Sequence, residues 1–485
     1  MHWKINWVTA VLYLSWFLGI TCGCKKFVEI NPPATEITGA TVYSNNVSAA
    51  AAMTGIYDVM EGSPYNLSDG FSSISLSVGL EADELTNYSS TNLNNQQFYA
   101  NALTSSSSGS SNYYFWTELY QDIYYANAVL EGLNNSAAVT DSIKNQLIGE
   151  AEFMRAFLHF YATNLYGDVP LVTTTNYQEN NALSRTPQAQ VYQQIIADLT
   201  DAQGKLPGNF VNYQGLASTQ RIRPNQGAAT AMLARVYLYL GKYDSAAMEA
   251  SALINNVALY SLDTLNGVFL ANSTEAIWQL EPVQPGVNTW DAEAFVLTSN
   301  PGTTQGNVAL SPNLENSFEP NDQRFNDWVG IFVDPSSNDT FYFPNKYKVY
   351  LQNEPVTEYN MVLRLGEQYL IRAEAEANGA GNGISAAIAD LNVIRLRAGL
   401  PAYSGGTDQT SVVAAILHER QVELFTEWGH RWFDLRRTKN LNTVMGSPGN
   451  VCAEKGGVWN PDWALMPLPL SEILTNKNLS QNSGY

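Results

Sequence analysis

The chain has 485 residues, 45% of them hydrophobic, so it can bury a large core in one or two domains. Its 25 basic and 45 acidic side chains give a formal net charge of −20, and such a chain is repelled by phosphate backbones and by anionic membrane surfaces. We therefore expect no nucleic acid partner, and three cysteines are too few for a disulfide scaffold or a cysteine-ligated zinc site.

The N-terminal segment is typical of a secretory signal. Lys4 precedes a short apolar run that ends in small residues and a cysteine, which is the layout of a bacterial lipoprotein signal. A transmembrane helix would need about 20 mostly apolar residues, and polar residues interrupt this run. We expect residues 1–23 to be removed after Gly23 and Cys24 to be acylated. Plain secretion is the alternative, because Thr21 stands where lipoprotein signals usually carry Leu.

Helical patterns then recur in pairs along the chain. In the clearest pair, small residues occupy the positions where two helices would approach each other, and Gly241 provides a tight turn between them. The predicted pairs are 150–166 with 191–199, 228–240 with 245–254, and 366–377 with 384–398. The sequence thus predicts a fold dominated by α-helix, with a tetratricopeptide-like scaffold of helix pairs and minor β structure.

Two long polar stretches lie between these pairs. Residues 62–112 are rich in Ser, Asn and Gly, and residues 281–348 contain several prolines and short strand-like pieces. Loops of this length on a helical scaffold usually have a function. Disorder is the competing interpretation, but the aromatic residues in both stretches favour folded loops.

Patterns that would indicate catalysis are missing from the sequence. It has no phosphate-binding Walker loop, no Gly-x-Ser-x-Gly elbow and no His-Glu-x-x-His helix. His159, His418 and His430 do not have metal-ligand spacing, and the oxygen-rich loop at residues 334–339 does not match a calcium loop. No cofactor and no metal are predicted. The pair Glu419 and Glu423 is expected to form salt bridges with nearby arginines.

The aromatic loops suggest ligand binding. Sugar rings present apolar C–H faces that pack on aromatic side chains, while their hydroxyls bind amides, carboxylates and guanidinium groups. The two long stretches combine these residue types. The candidate ligand-binding residues are Tyr88, Asn92, Tyr99, Trp290, Asp291, Arg324 and Trp328. The alternative is that each aromatic residue only anchors its loop to the scaffold.

Four segments together resemble the SusD/RagB family, which are outer-membrane lipoproteins of Bacteroidetes. They are the start Cys24 to Pro33, the block Arg155 to Leu171 with Tyr166-Gly167-Asp168, the block Glu419 to Arg437 with Trp432-Phe433-Asp434, and the end Met466 to Tyr485. The segments occur in the family's order from one end of the chain to the other. The recognisable blocks are largely scaffold in this family, so they are not expected to be the binding site.

The resemblance implies a surface-exposed lipoprotein of the outer membrane that captures a nutrient, usually a glycan, for a SusC-like TonB-dependent transporter. It implies an N-terminal region at 24–225 and a C-terminal region at 226–485. Two alternatives remain. The chain could be a lipid-anchored glycoside hydrolase with Glu81, Asp83 or Glu84 as acid and base, or a transporter-associated scaffold without ligand affinity. A peptide could also be the cargo.

Overall fold

The computed structural model describes residues 39–106, 111–303 and 307–485. It separates the chain into a unit Met1–Val42, of which only one short helix is described, and a unit Tyr43–Tyr485. The expected signal peptide at residues 1–23 and the expected acylation site Cys24 lie outside the described residues. The division into regions 24–225 and 226–485 stays a prediction.

The described elements are mostly α-helices. They are α1 Gly39–Val42, α2 Asn46–Glu61, α3 Ile74–Glu81, α4 Leu93–Tyr99, α5 Ser111–Asn134, α6 Asp141–Tyr166, α7 Tyr177–Asn180, α8 Gln188–Lys205, α9 Gln226–Tyr239, α10 Tyr243–Ile254, α11 Trp290–Phe295, α12 Pro312–Glu315, α13 Gln323–Trp328, α14 Leu365–Ala377, α15 Ile384–Arg397, α16 Gln409–Glu423, α17 His430–Arg437, α18 Leu441–Met445, α19 Val451–Glu454 and α20 Leu470–Thr475. The strands are β1 Leu85–Asn87, β2 Ala276–Leu280, β3 Val308–Leu310, β4 Val329–Val333, β5 Thr340–Pro344 and β6 Asn360–Arg364.

Most of the long helices pack on the next long helix along the chain. α5 packs on α6, α6 on α8, α8 on α9, α9 on α10, α10 on α14, and α14 on both α15 and α16. All six predicted helices are present, and the predicted helical fold class is confirmed. Small side chains explain the close approach: Ala234, Ala246, Ala250 and Ala375 form one buried cluster between α9, α10 and α14.

Strands join the two long stretches to each other and to the helices. The described residues contain three two-stranded antiparallel sheets: β1 with β3, β2 with β6, and β4 with β5. In the first, Thr86 is the register partner of Ala309, so the stretch 62–112 pairs directly with the stretch 281–348. These stretches hold more regular structure than the sequence predicted, since α3 lies within the first and every one of its residues is buried.

A buried ion network crosses the second unit. Glu423 pairs with Arg364 at 2.6 Å and with Arg397, while Glu419 pairs with Arg395 at 3.3 Å. The predicted salt-bridge role of Glu419 and Glu423 is confirmed. The arginines that pair with them here lie on β6 and α15 and are not their neighbours in the sequence. Buried charges of this kind are stable only when every one of them is paired.

Candidate functional site

A cavity of about 590 Å³ lies between residues 63–72, the start of α4 and the first turns of α5. Its aromatic walls come from Tyr65, Phe71 and Tyr114. The polar lining, mostly amides, consists of Ser63, Asn66, Ser72, Asn92, Asn94, Glu118 and Asn307. The volume lies in the range of small-ligand sites, and the lining places three aromatic rings among a larger number of polar side chains.

The rim loop, residues 63–73, builds one wall by folding back on itself. A backbone bridge joins Tyr65 to Gly70, and the Phe71 N–H donates to the Pro64 carbonyl at 2.8 Å. Gly70 has a φ of +89°, and a Cβ at this position would lie 2.5 Å from the Pro64 oxygen. Only glycine fits there without strain. The turn brings the Tyr65 and Phe71 rings together, with their centroids 5.9 Å apart.

Buried carboxylates anchor the rim loop to α11. Asp69 accepts the backbone N–H groups of Trp290 and Asp291 at 2.7 and 2.6 Å. Asp291 in turn accepts the Gly70 N–H at 2.8 Å and the Ser73 hydroxyl at 3.0 Å. Burial raises the pKa of Asp69 to about 6 and raises the pKa of Asp291 well above its usual range, because an ionised carboxylate loses hydration there.

The polar lining is fixed by the scaffold. Asn66 donates its amide to a backbone carbonyl of α2 at 2.7 Å, and the Asn92 Oδ1 caps α4 by accepting the Asn95 N–H at 3.1 Å. Glu118 accepts the Leu67 N–H at 2.6 Å. Burial raises the pKa of Glu118 to about 7, so near neutral pH this carboxyl group can both donate and accept hydrogen bonds.

Three of the seven predicted ligand-binding residues lie at or near the surface. Asn92 lines the cavity. Tyr88 is exposed and packs edge-on against Phe341 of β5, with ring centroids 5.3 Å apart. Tyr99 is half-buried, and the Lys455 ammonium group lies 5.4 Å from its ring centroid. The structure therefore brings Asn92 to the cavity, whereas Tyr88 and Tyr99 do not line it.

Trp290 and Asp291 are buried, which corrects the expectation that they face a ligand. The Trp290 Nε1 donates to the Glu61 carbonyl at 3.3 Å. Asp291 is held by Gly70 and Ser73 of the rim loop. Both residues shape the cavity from behind its wall.

Trp328 and Arg324 are also buried, and a ligand has no access to them in this structure. The Trp328 Nε1 donates to a backbone carbonyl at 2.8 Å, and its ring lies 4.9 Å from the Lys346 Nζ. Arg324 forms ion pairs of 2.7 to 3.0 Å with Asp322, Glu419 and Glu423. The structure thus supports the alternative interpretation for these two residues: they anchor their segment to the scaffold.

Tyr65 and Tyr114 were not among the predicted residues. Tyr65 is 55% exposed and Tyr114 is 41% exposed, and both lie at the edges of the cavity. A usable signal was present, since Tyr65 follows Pro64 at the start of the polar stretch and Tyr114 follows its serine run. That signal alone does not single them out, because it does not show that Tyr65 and Tyr114 line the same cavity.

The carboxylates of the hydrolase alternative are buried as well. Glu81, Asp83 and Glu84 do not line the cavity, and Asp83 forms an ion pair with Arg431 at 2.7 Å. Burial raises the pKa of Glu81 and the pKa of Glu84 to about 8 each. These groups therefore cannot act as a carboxylate pair across an open cleft in this structure.

Most of the side chains considered as metal ligands make ordinary hydrogen bonds. His159 and His418 each bond to a backbone carbonyl, at 2.9 and 2.8 Å. Asp334 accepts the Ser336 N–H at 2.8 Å in the turn between β4 and β5. Within the described residues, no group of three or more His, Cys, Asp or Glu side chains could hold a metal ion.

Family models match most of the chain. A model described as starch-binding associating with outer membrane matches residues 39–238, and the SusD family model matches residues 172–485. The chain belongs to the SusD family. The resemblance seen in the sequence is thus confirmed. In the described part of the chain, no helix is both long enough and apolar enough to span a membrane.

Individual relatives agree with the family. SusD-like protein P2 of Formosa agariphila is 28% identical over 427 residues, which cover 76% of this chain and 80% of the relative. A SusD superfamily protein from Bacteroides vulgatus has a TM-score of 0.79 at 21% identity, covering 92% of this chain and 100% of that chain. A structure described as a laminarin binding SusD-like protein has a TM-score of 0.72 at 24% identity, covering 91% and 100%. The two structures establish the shared fold.

Proposed function

We propose that this SusD-family protein is a non-catalytic surface protein that captures a glycan in the cavity beside the rim loop. The observation that carries the proposal is the lining itself. The exposed side chains of Tyr65 and Tyr114 share the lining with four amides and one carboxyl group. Aromatic faces take the apolar side of a sugar ring, and amides bind its hydroxyls. Burial of Glu81, Asp83 and Glu84 removes the support for the hydrolase alternative.

The captured glycan is proposed to pass to a SusC-like TonB-dependent transporter in the outer membrane. Acylation of Cys24 would hold the protein at that membrane and raise the concentration of captured glycan beside the transporter. Co-purification from solubilised outer membranes tests the partnership. A TonB-dependent transporter that elutes with the tagged full-length protein supports it, and recovery of the protein without any such transporter contradicts it.

Affinity electrophoresis in gels containing a polysaccharide tests the proposed capture. Laminarin is the first choice, because a protein of the same fold is described as laminarin binding. Starch, xylan and a mannan complete the panel. We expect Tyr65→Ala and Tyr114→Ala to weaken retention about tenfold, which corresponds to about 1.4 kcal/mol for one lost ring contact.

Tyr213→Ala is the matched control. This residue is 43% exposed and lies outside the cavity lining, so its removal should leave retention unchanged. Equal loss in all three variants would contradict the proposed site. Absence of retention on every polysaccharide would favour the scaffold alternative, and release of reducing ends by the purified protein would favour the hydrolase.

A further inference from the structure

A second aromatic pocket is formed by residues that do not line the cavity beside the rim loop. It has a volume of about 260 Å³ and lies between α5, α7, α20 and the segments next to them. Trp116, Tyr120 and Tyr124 of α5 form its aromatic wall at a spacing of four residues. Tyr114 lies two residues from Trp116, about 200° around the helix, so the two sites use different faces of α5.

The floor of this pocket is rigid. The buried Trp116 ring packs edge-on against Tyr166, with centroids 5.0 Å apart. It also packs against Tyr120 in a tilted arrangement, with centroids 4.7 Å apart and an interplanar angle of 38°. The Trp116 side chain hydrogen-bonds the Glu472 carboxyl group, and the Tyr120 hydroxyl donates to the Pro170 carbonyl at 2.9 Å. Both rings are therefore fixed before any ligand arrives, which lowers the entropic cost of binding.

The mouth of the second pocket is open and carries two aromatic side chains. Tyr124 from α5 is 44% exposed and Tyr177 at the start of α7 is 69% exposed. Large aromatic side chains are usually buried, and two exposed ones at the mouth of one pocket offer faces on which a flat apolar surface can pack.

One polar group of the lining has an unused acceptor. The Asn180 amide nitrogen donates to the Thr174 carbonyl at 2.8 Å, which fixes the orientation of the side chain. Its Oδ1 is buried and accepts no hydrogen bond from the described residues. A buried acceptor without a donor is costly, and a ligand hydroxyl could supply that donor once a small shift of the Asn180 side chain exposes the oxygen to the pocket. Glu472 also lines the pocket and offers a carboxyl group for a second hydroxyl.

We propose that this pocket is a second carbohydrate site that accepts a single sugar ring, with Tyr124 and Tyr177 against the ring face and Asn180 and Glu472 on its hydroxyls. Its ligand class rests on the proposed function, whereas its location does not. The volume of about 260 Å³ is less than half that of the first cavity, which is why one ring rather than an oligosaccharide segment is assigned.

Saturation-transfer difference NMR on the full chain tests this proposal. The probes are D-glucose, D-galactose, D-mannose, D-xylose and L-fucose, each at millimolar concentration. The background variant is Tyr65→Ala with Tyr114→Ala, which weakens the first cavity. We expect at least one sugar to receive saturation in this background, and adding Tyr124→Ala and Tyr177→Ala to lower its signal at least fivefold. The four tyrosines are all exposed, so the variants are expected to fold.

Either of two results would overturn the second site: no sugar receives saturation in the background variant, or the signal survives the loss of Tyr124 and Tyr177. Polysaccharide retention in gels separates this failure from failure of the proposed function. If retention depends on Tyr65 and Tyr114 but no monosaccharide receives saturation in the background variant, only the second site is contradicted. Retention that is unaffected by Tyr65 and Tyr114 contradicts the first cavity, whatever the monosaccharide signal shows.

Discussion

At the scale of single residues, Tyr65 and Trp328 represent two uses of an aromatic ring. Tyr65 presents its ring to the solvent at the edge of a cavity. Trp328 is enclosed by Phe269, Lys346 and the backbone near Leu265, and its polar nitrogen already has an acceptor. A buried indole with a satisfied N–H stabilises the fold and has nothing left to offer a ligand.

Trp328→Ala should therefore act on stability. Loss of a fully buried tryptophan is expected to lower the free energy of unfolding by about 3–5 kcal/mol, because it removes apolar burial and leaves a cavity. Urea denaturation followed by circular dichroism measures this change. Tyr213→Ala, at an exposed site, should stay within about 0.5 kcal/mol of the parent. A Trp328→Ala protein of unchanged stability that no longer binds glycan would contradict this assignment.

The sequence could predict that the long stretches carry aromatic residues, but not which of them face the solvent. The environment of Trp290 depends on Asp69, which is 221 positions earlier in the chain. Local spacing contains no information about such a contact. Asn92 lies at the cavity and caps α4, and its ligand role stays a prediction.

At the scale of elements, helices were predictable and the packing of the connecting segments was not. The pair α9 and α10 is encoded by small residues at helical spacing and by Gly241, all within one short part of the chain. The shape of the rim loop depends instead on α11, which is distant in the sequence. Asp69 of the loop accepts the Asp291 N–H, and the Asp291 carboxyl group accepts the Gly70 N–H. Three buried carboxyl groups, Glu61, Asp69 and Asp291, meet at this junction.

This junction makes stability depend on pH. Burial raises the pKa of Asp69 to about 6 and raises the pKa values of Glu61 and Asp291 well above the usual range. The folded state therefore keeps protons that the unfolded chain loses near pH 4. Because the folded state binds more protons, this contribution to stability is fully present below about pH 4 and is lost as the pH rises through about 6 and beyond.

Asp291→Asn should make this pH dependence shallower. The amide removes one titrating group while keeping the acceptor for Gly70, so the slope should fall by up to about 1.4 kcal/mol per pH unit for one proton. Urea denaturation at pH 5, 6 and 7 measures the slope. Asp58→Asn, at an exposed position of α2, is the control and should leave the slope unchanged. An identical slope in Asp291→Asn and the parent would contradict the assignment.

At the scale of the whole molecule, the net charge of −20 bears on how the protein is held at a membrane. Anionic lipid surfaces repel such a chain, so attachment by surface charge is unfavourable. The proposed acyl group on Cys24 supplies the attachment instead, and two acyl chains are enough for stable anchoring.

Cys24→Ser should consequently move the protein from the membrane fraction to the soluble fraction of the cells that produce it. Cys22→Ser is the matched control, since that residue belongs to the expected signal and is removed with it. Immunoblots of the separated fractions measure the distribution. Membrane retention of Cys24→Ser equal to that of the parent would show that the anchor lies elsewhere.

Glycan binding in the cavity beside the rim loop can be observed directly in a crystal structure of the protein with the oligosaccharide of the best-retained polysaccharide. We predict sugar rings packed against Tyr65 and Tyr114, with hydroxyls hydrogen-bonded to Asn66, Asn92 or Glu118. An oligosaccharide bound elsewhere on the protein, with this cavity empty in the same crystal, would contradict binding at this site.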